Sequence, residues 1–461
     1  MLIVALIISS MTTYFMSTYN VVIDDDMIRN MMQTNMKESI DLLSLKQVLY
    51  FVFLGLLPAY LVYKAPVNYR VSKVEFYSKL KQTFILAVIM GLTVFVFFKH
   101  YSSFVREHKP LRYTANPTYW IYSVGFYINA TLTAGPIVVK PIGEDAKVLK
   151  GPDTLPKVVI LVVGEATRAD HFSLNGYARE TTPQLKNEKI INFSNVHACG
   201  TSTAISVPCM FSIYDKSSYN YKKGIQTENV LDVLKHTRDI SLLWRDNNSN
   251  SKGVALRIPY EDYKSPETNT ICNQDECRDE GMLVGLDTYI DKQKEKDVLI
   301  VLHQMGNHGP AYYKRYPKNF EKFTPVCETN QLEECTREEI SNAYDNAILY
   351  TDDFLTKTIG LLKQYESTHQ TAMIYVSDHG ESLGEKGIYL HGLPYFMAPS
   401  AQTHIPALMW FNTGFKNTLD MSKIDNTARY TQDNLFHTLL GLFNVETKVY
   451  EPKLDILKSQ E

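Results

Sequence analysis

Three long apolar segments stand out in the first hundred residues of the chain. They carry no charged side chain and cover Met1–Ile23, Val48–Tyr63 and Gln82–Phe98. A helix needs roughly 17 to 25 mostly apolar residues to cross the hydrocarbon core of a bilayer, and flanking residues extend the shorter segments. The pattern therefore predicts three membrane-spanning helices. The alternative is a set of buried helices in a soluble core.

The charges between these segments indicate their orientation. The connector at Lys64–Lys81 holds five basic residues against one acid, whereas the first connector begins with three aspartates. Short basic loops stay in the cytoplasm, so the chain after Phe98 is predicted to lie on the outer side of the membrane. The first segment does not resemble a signal peptide, because no basic residue precedes it and no A-x-A cleavage site ends it.

The composition changes after the last apolar segment. Residues 116–132 are rich in aromatic side chains and poor in charge, which suits either the lipid headgroup region or a helix packed on a soluble domain. We assign 1–100 to membrane helices with an external loop at 21–45, and 101–156 to this interfacial helix and a linker rich in proline and glycine. A globular domain is predicted at 157–461.

Short β-branched and apolar runs alternate with helical patterns in the globular part. The runs lie at Val158–Val163, Ile240–Trp244, Val298–Leu302, Met373–Val376 and Ala407–Phe411. This alternation predicts βαβ units and an α/β fold with a largely parallel sheet between helices.

Polar residues follow four of these predicted strands. Glu165 comes after the first, Asn248 just beyond the second, His303 after the third, and Asp378 with His379 after the fourth. In an open parallel sheet, the carboxyl ends of the strands line the ligand crevice. One such acid alone is typical of a helix N-cap, but four strand ends together predict a common site.

This edge supplies the carboxylate and imidazole ligands of a catalytic zinc site, which keeps one position open: Glu165, Asp378 and His379. Thr203 is the candidate for the open position, because TAISVPCMF after CGTS can begin a helix, whose N-terminus favours an anion. Zinc lowers the pKa of a bound water to about 7. A comparable effect on the threonine hydroxyl would produce a nucleophile.

Such an alkoxide beside two carboxylates and an incoming phosphodiester would leave an excess of negative charge. Groups that can offset it, by stabilising phosphoryl oxygens or protonating a leaving group, are Asn248, Lys252, His303, His308 and His391. The alternatives are that His303 is a buried structural partner and that Lys252 is a surface charge.

All six cysteines fall in the part assigned to the exterior and occur as three local pairs. The pairs are Cys199 with Cys209, Cys272 with Cys277, and Cys327 with Cys335. An exported domain permits disulfides; structural zinc is the alternative, although the usual C-x-x-C spacing is lacking. The net charge of −3 argues weakly against nucleic acid as a partner.

Five blocks of sequence, taken in order, resemble one enzyme family. They are GEATRADHFSLNGYARETTP, CGTSTAISVPCMFS, LLWRDNNSNSKG, HQMGNHGPAY and SDHGESLGE followed by YLHG. Together they resemble the lipid A phosphoethanolamine transferases, the family of the mobile colistin resistance enzymes within the alkaline phosphatase and sulfatase superfamily. The resemblance extends over nearly the whole chain.

The resemblance implies an alkaline-phosphatase-like, periplasmic catalytic domain on a multi-pass protein of the bacterial inner membrane. The donor would be phosphatidylethanolamine, the acceptor a phosphate of lipid A, and the released product diacylglycerol. By motif match, Thr203 would carry the phosphoethanolamine, the other zinc ligands would be Glu165, Asp378 and His379, and the phosphoryl group would meet Asn248, Lys252, His308 and His391. We expect a monomer with one tightly bound Zn²⁺ and leave open a second ion during turnover.

The membrane-side motif of the family would match RNMMQTNMKES. Its Asn30, Thr34 and Glu38 are spaced four apart and so share one helix face. That face would hold the donor headgroup, with the carboxylate beside the ammonium group. The alternative is a solvated polar face. Capping lipid A phosphates would lower the negative charge that a cationic peptide binds, so polymyxin resistance is expected.

The chain departs from the family in one respect. Members of the family have five transmembrane helices, whereas three are predicted here. We therefore expect that this sequence is either truncated or a shorter variant of the family. A sulfatase is disfavoured because no C-x-P-x-R run surrounds Thr203. A glycerophosphate transferase of the lipoteichoic acid type, transfer to another envelope glycan, and a membrane sensor without catalysis stay open.

Overall fold

The computed structural model describes residues 2–34, 39, 42–66, 72–98, 104, 109–132, 137–151, 154–273, 276–293 and 296–458. The chain forms two compact units. Unit 1 comprises Met1–Thr18, Val22–Asp25 and Ser44–Phe126, and unit 2 comprises Tyr19–Val21, Asp26–Leu43 and Tyr127–Glu461.

The N-terminal part of the chain is helical. Its helices are α1 (Leu2–Tyr19), α2 (Asp25–Gln33), α3 (Leu45–Lys64, with a π-helical stretch at Phe51–Leu56), α4 (Ser72–Val96) and α5 (Thr118–Leu132). Of these, α1, α3 and α4 are long and apolar enough to cross a membrane, in agreement with the three predicted spans. Gly55 of α3 lies so near α1 that a Cβ would come within 2.6 Å of Ser10 Oγ. The small residue therefore permits close helix packing.

The aromatic segment packs on α1 through its first half. The amide of Asn116 donates to Thr13 Oγ1 at 2.7 Å, and Trp120 Nε1 donates to Ser9 Oγ at 3.2 Å. This half of α5 thus joins the membrane helices of unit 1. Its position in the lipid headgroup region stays a prediction.

Unit 2 is built on an eight-stranded sheet. The strands of the chain are β1 (Lys147–Val148), β2 (Lys157–Gly164), β3 (Ile190–His197), β4 (Ile240–Asp246), β5 (Tyr260–Asp262), β6 (Asp297–His303), β7 (Gln370–Ser377), β8 (Ser382–Glu385), β9 (Ile388–Leu390), β10 (His404–Phe411), β11 (Tyr430–Thr431) and β12 (Val445–Glu446). The order in the sheet is β11-β3-β10-β7-β2-β6-β4-β5.

Most neighbours in this sheet run parallel, as predicted. β2 is parallel to β6 and β7, and β4 is parallel to β5 and β6. The exception is β10, which is antiparallel to both β3 and β7. The run at Ala407–Phe411 therefore forms a strand, but its direction is opposite to that of a βαβ unit. The α/β fold class is confirmed.

Helices cover both faces of the sheet. They include α6 (Thr203–Met210), α7 (Tyr221–Ile225), α8 (Val230–His236), α9 (Leu286–Asp291), α10 (Arg337–Lys363), α11 (Ser400–Thr403), α12 (Thr413–Lys416) and α13 (Asn434–Leu442). Every residue of β2 is buried, with alternate side chains packed against α8 and α13 on one face and α10 on the other. Burying each such aliphatic side chain contributes about 1.5 to 3 kcal/mol. This two-sided burial explains the uninterrupted apolar runs of the sequence.

Three disulfides join the cysteine pairs expected from the sequence, Cys199–Cys209, Cys272–Cys277 and Cys327–Cys335. All six cysteines are therefore oxidised, and the alternative of structural zinc held by thiolates is wrong.

Candidate active site

The predicted metal ligands come together at the carboxyl ends of two neighbouring strands. Gly164 of β2 pairs with Ser377 of β7, so Glu165 and Asp378 leave the sheet side by side. His379 Nε2 lies 3.4 Å from Glu165 Oε1 and 3.3 Å from Asp378 Oδ2. One ligand atom from each of the three lies within 4.8 Å of the others.

Thr203 begins α6 directly beside these residues. Its Oγ1 donates to Glu165 Oε2 at 3.0 Å and lies 3.4 Å from His379 Nε2. The preceding turn is tight, because a Cβ on Gly200 would come within 2.7 Å of the Ile205 side chain. The disulfide Cys199–Cys209 spans this turn and α6. The nucleophile predicted from the sequence is thus held at a helix start, where backbone N–H groups favour negative charge.

The buried atoms of this cluster fit a divalent cation. Glu165 Oε1 and Asp378 Oδ2 are buried and have no hydrogen-bond partner among the described residues. Burial and the neighbouring Asp378 carboxylate raise the pKa of Glu165 to about 7. His379 donates from Nδ1 to the carbonyl of Gly380 at 2.8 Å, which leaves the lone pair of Nε2 directed to the carboxylates. Two carboxylates and such an imidazole are ligands that zinc takes in catalytic sites.

Two further histidines border the cluster. The ring centroid of His391 lies 4.2 Å from the ring centroid of His379 and 6.0 Å from that of His308. His391 donates from Nδ1 to Glu381 Oε2 at 2.7 Å, and the other oxygen of Glu381 accepts from Tyr312 at 2.7 Å. Although burial favours the neutral ring, the Glu381 carboxylate raises the pKa of His391 to about 9. Burial and the cation of Arg315 lower the pKa of His308.

The remaining predicted residues are buried, and one of them, Asn248, contacts a predicted metal ligand directly. Asn248 donates from Nδ2 to Glu165 Oε2 and to the carbonyl of Gln304, both at 2.8 Å. His303 is fully buried and bonded through Nδ1 to Asp246 at 2.9 Å, a position that favours the interpretation as a buried partner. Lys252 is 7% exposed, so the alternative of a surface charge is wrong.

The membrane-side motif is described only in part. Asn30 lies on α2, and Thr34 follows the end of that helix and donates to the carbonyl of Asn30 at 2.8 Å. Glu38 lies outside the described residues.

Sequence reasoning missed the role of Glu381 and Asp246, which hold two of the histidines. Glu381 stands two residues after His379, inside a quoted block, and Asp246 stands two residues after the second predicted strand, in the block LLWRDNNSNSKG. Neither block shows which histidine its acid holds, because Glu381 binds His391 rather than the nearby His379, and Asp246 binds His303 at the end of another strand.

Family models match both parts of the chain. The model of the phosphoethanolamine transferases EptA/EptB matches residues 1–132, and the sulfatase model matches residues 157–445. Phosphatidylethanolamine transferase Mcr-2 of Escherichia coli is 47% identical over 455 residues, which cover 96% of this chain and 83% of that protein. The chain belongs to the phosphoethanolamine transferase family. The resemblance of the five sequence blocks is thereby confirmed.

Other members of the family also match nearly the whole chain. Phosphoethanolamine transferase EptA of Escherichia coli K12 is 39% identical over 463 residues, covering 98% of this transferase and 84% of its relative. The integral membrane protein lipooligosaccharide phosphoethanolamine transferase A of Neisseria meningitidis matches with a TM-score of 0.92 and 36% identity. That match covers 99% of this transferase and 86% of the other chain.

Proposed function

We propose that this transferase moves phosphoethanolamine from phosphatidylethanolamine to a phosphate group of lipid A and releases diacylglycerol. One observation carries the proposal: Thr203 Oγ1 lies 3.0 Å from Glu165 Oε2 and 3.4 Å from His379 Nε2, at the start of α6. A hydroxyl in this position is well placed to act as a phosphoryl nucleophile. The names of the relatives Mcr-2 and EptA support the same donor group.

Zn²⁺ is the proposed ion, held by Glu165, Asp378, His379 and Thr203. When bound, it would supply positive charge that favours the ionised threonine hydroxyl. The buried Glu165 Oε1 and Asp378 Oδ2, which accept no hydrogen bond from any described residue, support this choice. The proposal is for one tightly held ion, and a second ion during turnover stays a sequence-based prediction.

The proposed reaction consists of two transfers at phosphorus. Thr203 Oγ1 loses its proton and bonds to the donor phosphorus; the bond from phosphorus to the glycerol oxygen breaks, and that oxygen takes a proton to give diacylglycerol. An ionised oxygen of the lipid A phosphate then bonds to the same phosphorus, the bond from phosphorus to Thr203 Oγ1 breaks, and Oγ1 takes a proton, which regenerates the threonine hydroxyl.

The surrounding side chains have separate roles in these steps. The hydrogen bond of His391 to Glu381 at 2.7 Å favours a protonated ring, so we assign His391 the protonation of the glycerol oxygen. His308 and Lys252 would contact the phosphoryl oxygens. Asn248 would orient Glu165 through the 2.8 Å hydrogen bond from Nδ2 to Glu165 Oε2. This role would come in addition to the predicted contact of Asn248 with the phosphoryl group. His303, held by its hydrogen bond to Asp246, would support the site as a buried partner.

The donor headgroup would be held at Asn30, Thr34 and Glu38, with the carboxylate beside the ammonium group. Three apolar helices and three disulfides support an inner-membrane protein with its catalytic part in the periplasm. We keep the prediction of a monomer that binds the membrane and not nucleic acid.

The donor preference can be tested with labelled lipids. Detergent-solubilised protein is incubated separately with phosphatidylethanolamine and phosphatidylglycerol, each labelled in the headgroup. We expect label transfer from the first and transfer at least about tenfold slower from the second, because only the first has the ammonium group that an acidic side chain would hold. Faster transfer from phosphatidylglycerol would favour a glycerophosphate transferase.

The acceptor can be identified in cells that express this chain. Mass spectrometry of their lipid A should detect the added mass of phosphoethanolamine, and the same cells should resist polymyxin, because the capped phosphate binds a cationic peptide less well. Modification of another envelope glycan with unmodified lipid A would contradict the proposed acceptor. Modified lipid A with unchanged susceptibility would contradict the expected resistance.

A further inference from the structure

A buried group of charged side chains contacts the backbone of His308. Glu276 accepts a hydrogen bond from Arg278 Nη1 at 2.8 Å through Oε1, and its Oε2 accepts one from Arg315 Nη1. Arg315 also donates from Nε to the carbonyl of His308 at 2.6 Å. The side chains of Glu276, Arg278 and Arg315 are between 3% and 9% exposed. A continuous set of contacts therefore runs from a carboxylate to the main chain of the proposed phosphoryl-binding histidine.

A second buried acid holds the turn just before His308. Asp279 accepts hydrogen bonds from the backbone N–H groups of Met305 at 2.8 Å and Gly306 at 3.1 Å, and from Asn247 Nδ2 at 2.8 Å. The turn closes on itself, since His308 N donates to the carbonyl of Met305. Its position is thus set by side chains that do not reach the metal ligands themselves.

The opposite side of this turn lies against Glu165. Gly306 has a φ of +50°, and a Cβ there would come within 3.0 Å of the carbonyl oxygen of Glu165. The N–H of Asn307 donates to the same oxygen at 3.1 Å. The turn is therefore confined between the buried acids Glu276 and Asp279 on one side and the predicted metal ligand Glu165 on the other. A shift of either acid would move His308.

The disulfide Cys272–Cys277 belongs to the same structure. Glu276 and Asp279 flank Cys277 in the sequence, and Arg278 N donates to the carbonyl of Ile271 at 2.7 Å. The covalent bond thus helps to fix the short segment that supplies both acids. A buried ion pair contributes little net stability, because desolvation offsets its attraction. Its clearest physical effect here is on the position of the groups that it holds.

We propose that Glu276, acting through Arg315, is a positioning residue that sets the place of His308 relative to the metal ligands. This inference rests on the proposed function, which gives His308 its contact with the phosphoryl group. A displacement of about 1 Å at a reacting group can cost about a hundredfold in rate. Glu276 does not touch the substrate, and its effect passes through the main chain of residue 308.

The test is a double-mutant cycle with Glu276→Gln and His308→Ala in the full chain, measured as phosphoethanolamine transfer. Glu276→Gln should lower kcat by about tenfold to a hundredfold with little change in the donor KM, and the zinc content should be unaltered. In the His308→Ala background, Glu276→Gln should have no further effect, because the group that it positions is gone.

The matched control is Asp232→Asn. Asp232 is also a buried carboxylate paired with a guanidinium, Arg257, at 2.7 and 2.6 Å, and it belongs to α8. The Asp232→Asn substitution should leave the kcat of the folded protein within about twofold of the wild-type value. Its effect should add to that of His308→Ala. If Glu276→Gln fails to fold, Arg315→Lys provides the second variant, because an ammonium cannot bridge Glu276 and the His308 carbonyl as the guanidinium does.

Wild-type kcat in the folded Glu276→Gln and Arg315→Lys proteins would overturn the inference, as would an equal loss in the presence and absence of His308. If the wild-type protein transfers phosphoethanolamine, either result contradicts only the positioning role and leaves the proposed function in place. Absence of transfer by the wild-type protein with any phosphatidylethanolamine donor would contradict the proposed function itself.

Discussion

Thr203→Val should abolish phosphoethanolamine transfer, with a loss of at least about a thousandfold in kcat/KM. Valine has the shape of threonine without its hydroxyl, so the change removes the proposed nucleophile and little else. The affected atom is Oγ1, which lies 3.0 Å from Glu165 Oε2. The measurement is transfer from labelled phosphatidylethanolamine in detergent, with thermal unfolding as the check that the variant is folded.

Thr203→Ser is the matched control, because it keeps a hydroxyl at the start of α6. We expect it to retain transfer within about a hundredfold of the wild type. Without acceptor, the wild-type peptide that contains Thr203 should gain the mass of one phosphoethanolamine group, and the valine variant should gain none. Transfer by the wild type with no modified Thr203 under rapid quenching would contradict the covalent route. Full activity of Thr203→Val would contradict the assignment of the nucleophile, and an unchanged cellular phenotype would favour a sensor without catalysis.

The position of the candidate site could be predicted because it depends on strand ends. Glu165 and Asp378 each follow an apolar run, and parallel neighbours end at the same edge of a sheet. The sequence therefore indicated that residues more than two hundred positions apart would meet. Helix initiation at Thr203 was also predictable, because the polar residues before it and the apolar run after it favour a helix start at this point.

Strand direction and edge strands could not be predicted in the same way. The run that forms β10 is apolar like the parallel strands of the sheet, and its composition gives no sign that it runs antiparallel to β3 and β7. β3 was missed because its residues are mostly half-buried and polar side chains interrupt the apolar pattern. Apolar periodicity reports burial, and it contains no information about which end of a strand comes first.

The contacts that support the site residues could not be predicted from the sequence either. Asn248 was predicted beside the phosphoryl group, yet its amide donates to Glu165 and to the carbonyl of Gln304. The buried pair of Glu276 and Arg315 joins segments that no motif connects. Such contacts depend on how loops fold over the strand ends, which propensity and spacing do not determine.

Removal of the metal ion should be the second severe perturbation. Dialysis against a strong chelator is expected to lower transfer by at least about a hundredfold, since a bound cation supplies several kcal/mol of charge stabilisation in the transition state. Zinc should restore it. The same treatment should lower the Tm, because a ligand present at a hundred times its Kd stabilises the folded state by about 2.7 kcal/mol.

Asp378→Asn separates loss of the ion from loss of the fold. Asp378 Oδ1 accepts hydrogen bonds from the N–H groups of Ala166 and His379, whereas Oδ2 has no partner among the described residues. The asparagine carbonyl can keep both bonds while its NH₂ replaces only the oxygen that would face the ion. We expect a folded protein without zinc or transfer, whose Tm no longer responds to chelator.

Asp352→Asn is the matched control for this change. Its carboxylate is buried and accepts the backbone N–H groups of Gln184 and Leu185 at 2.9 Å, away from the predicted ligands. The variant should lose about 1 to 3 kcal/mol of stability, because one of these donors loses its acceptor. Its zinc content and its response to chelator should nevertheless match the wild type. Stoichiometric zinc in Asp378→Asn, or full wild-type turnover in chelator, would contradict the proposed metal site. Glu165 Oε1 and Asp378 Oδ2 would then need another explanation for having no hydrogen-bond partner in the part of the chain that the structure describes.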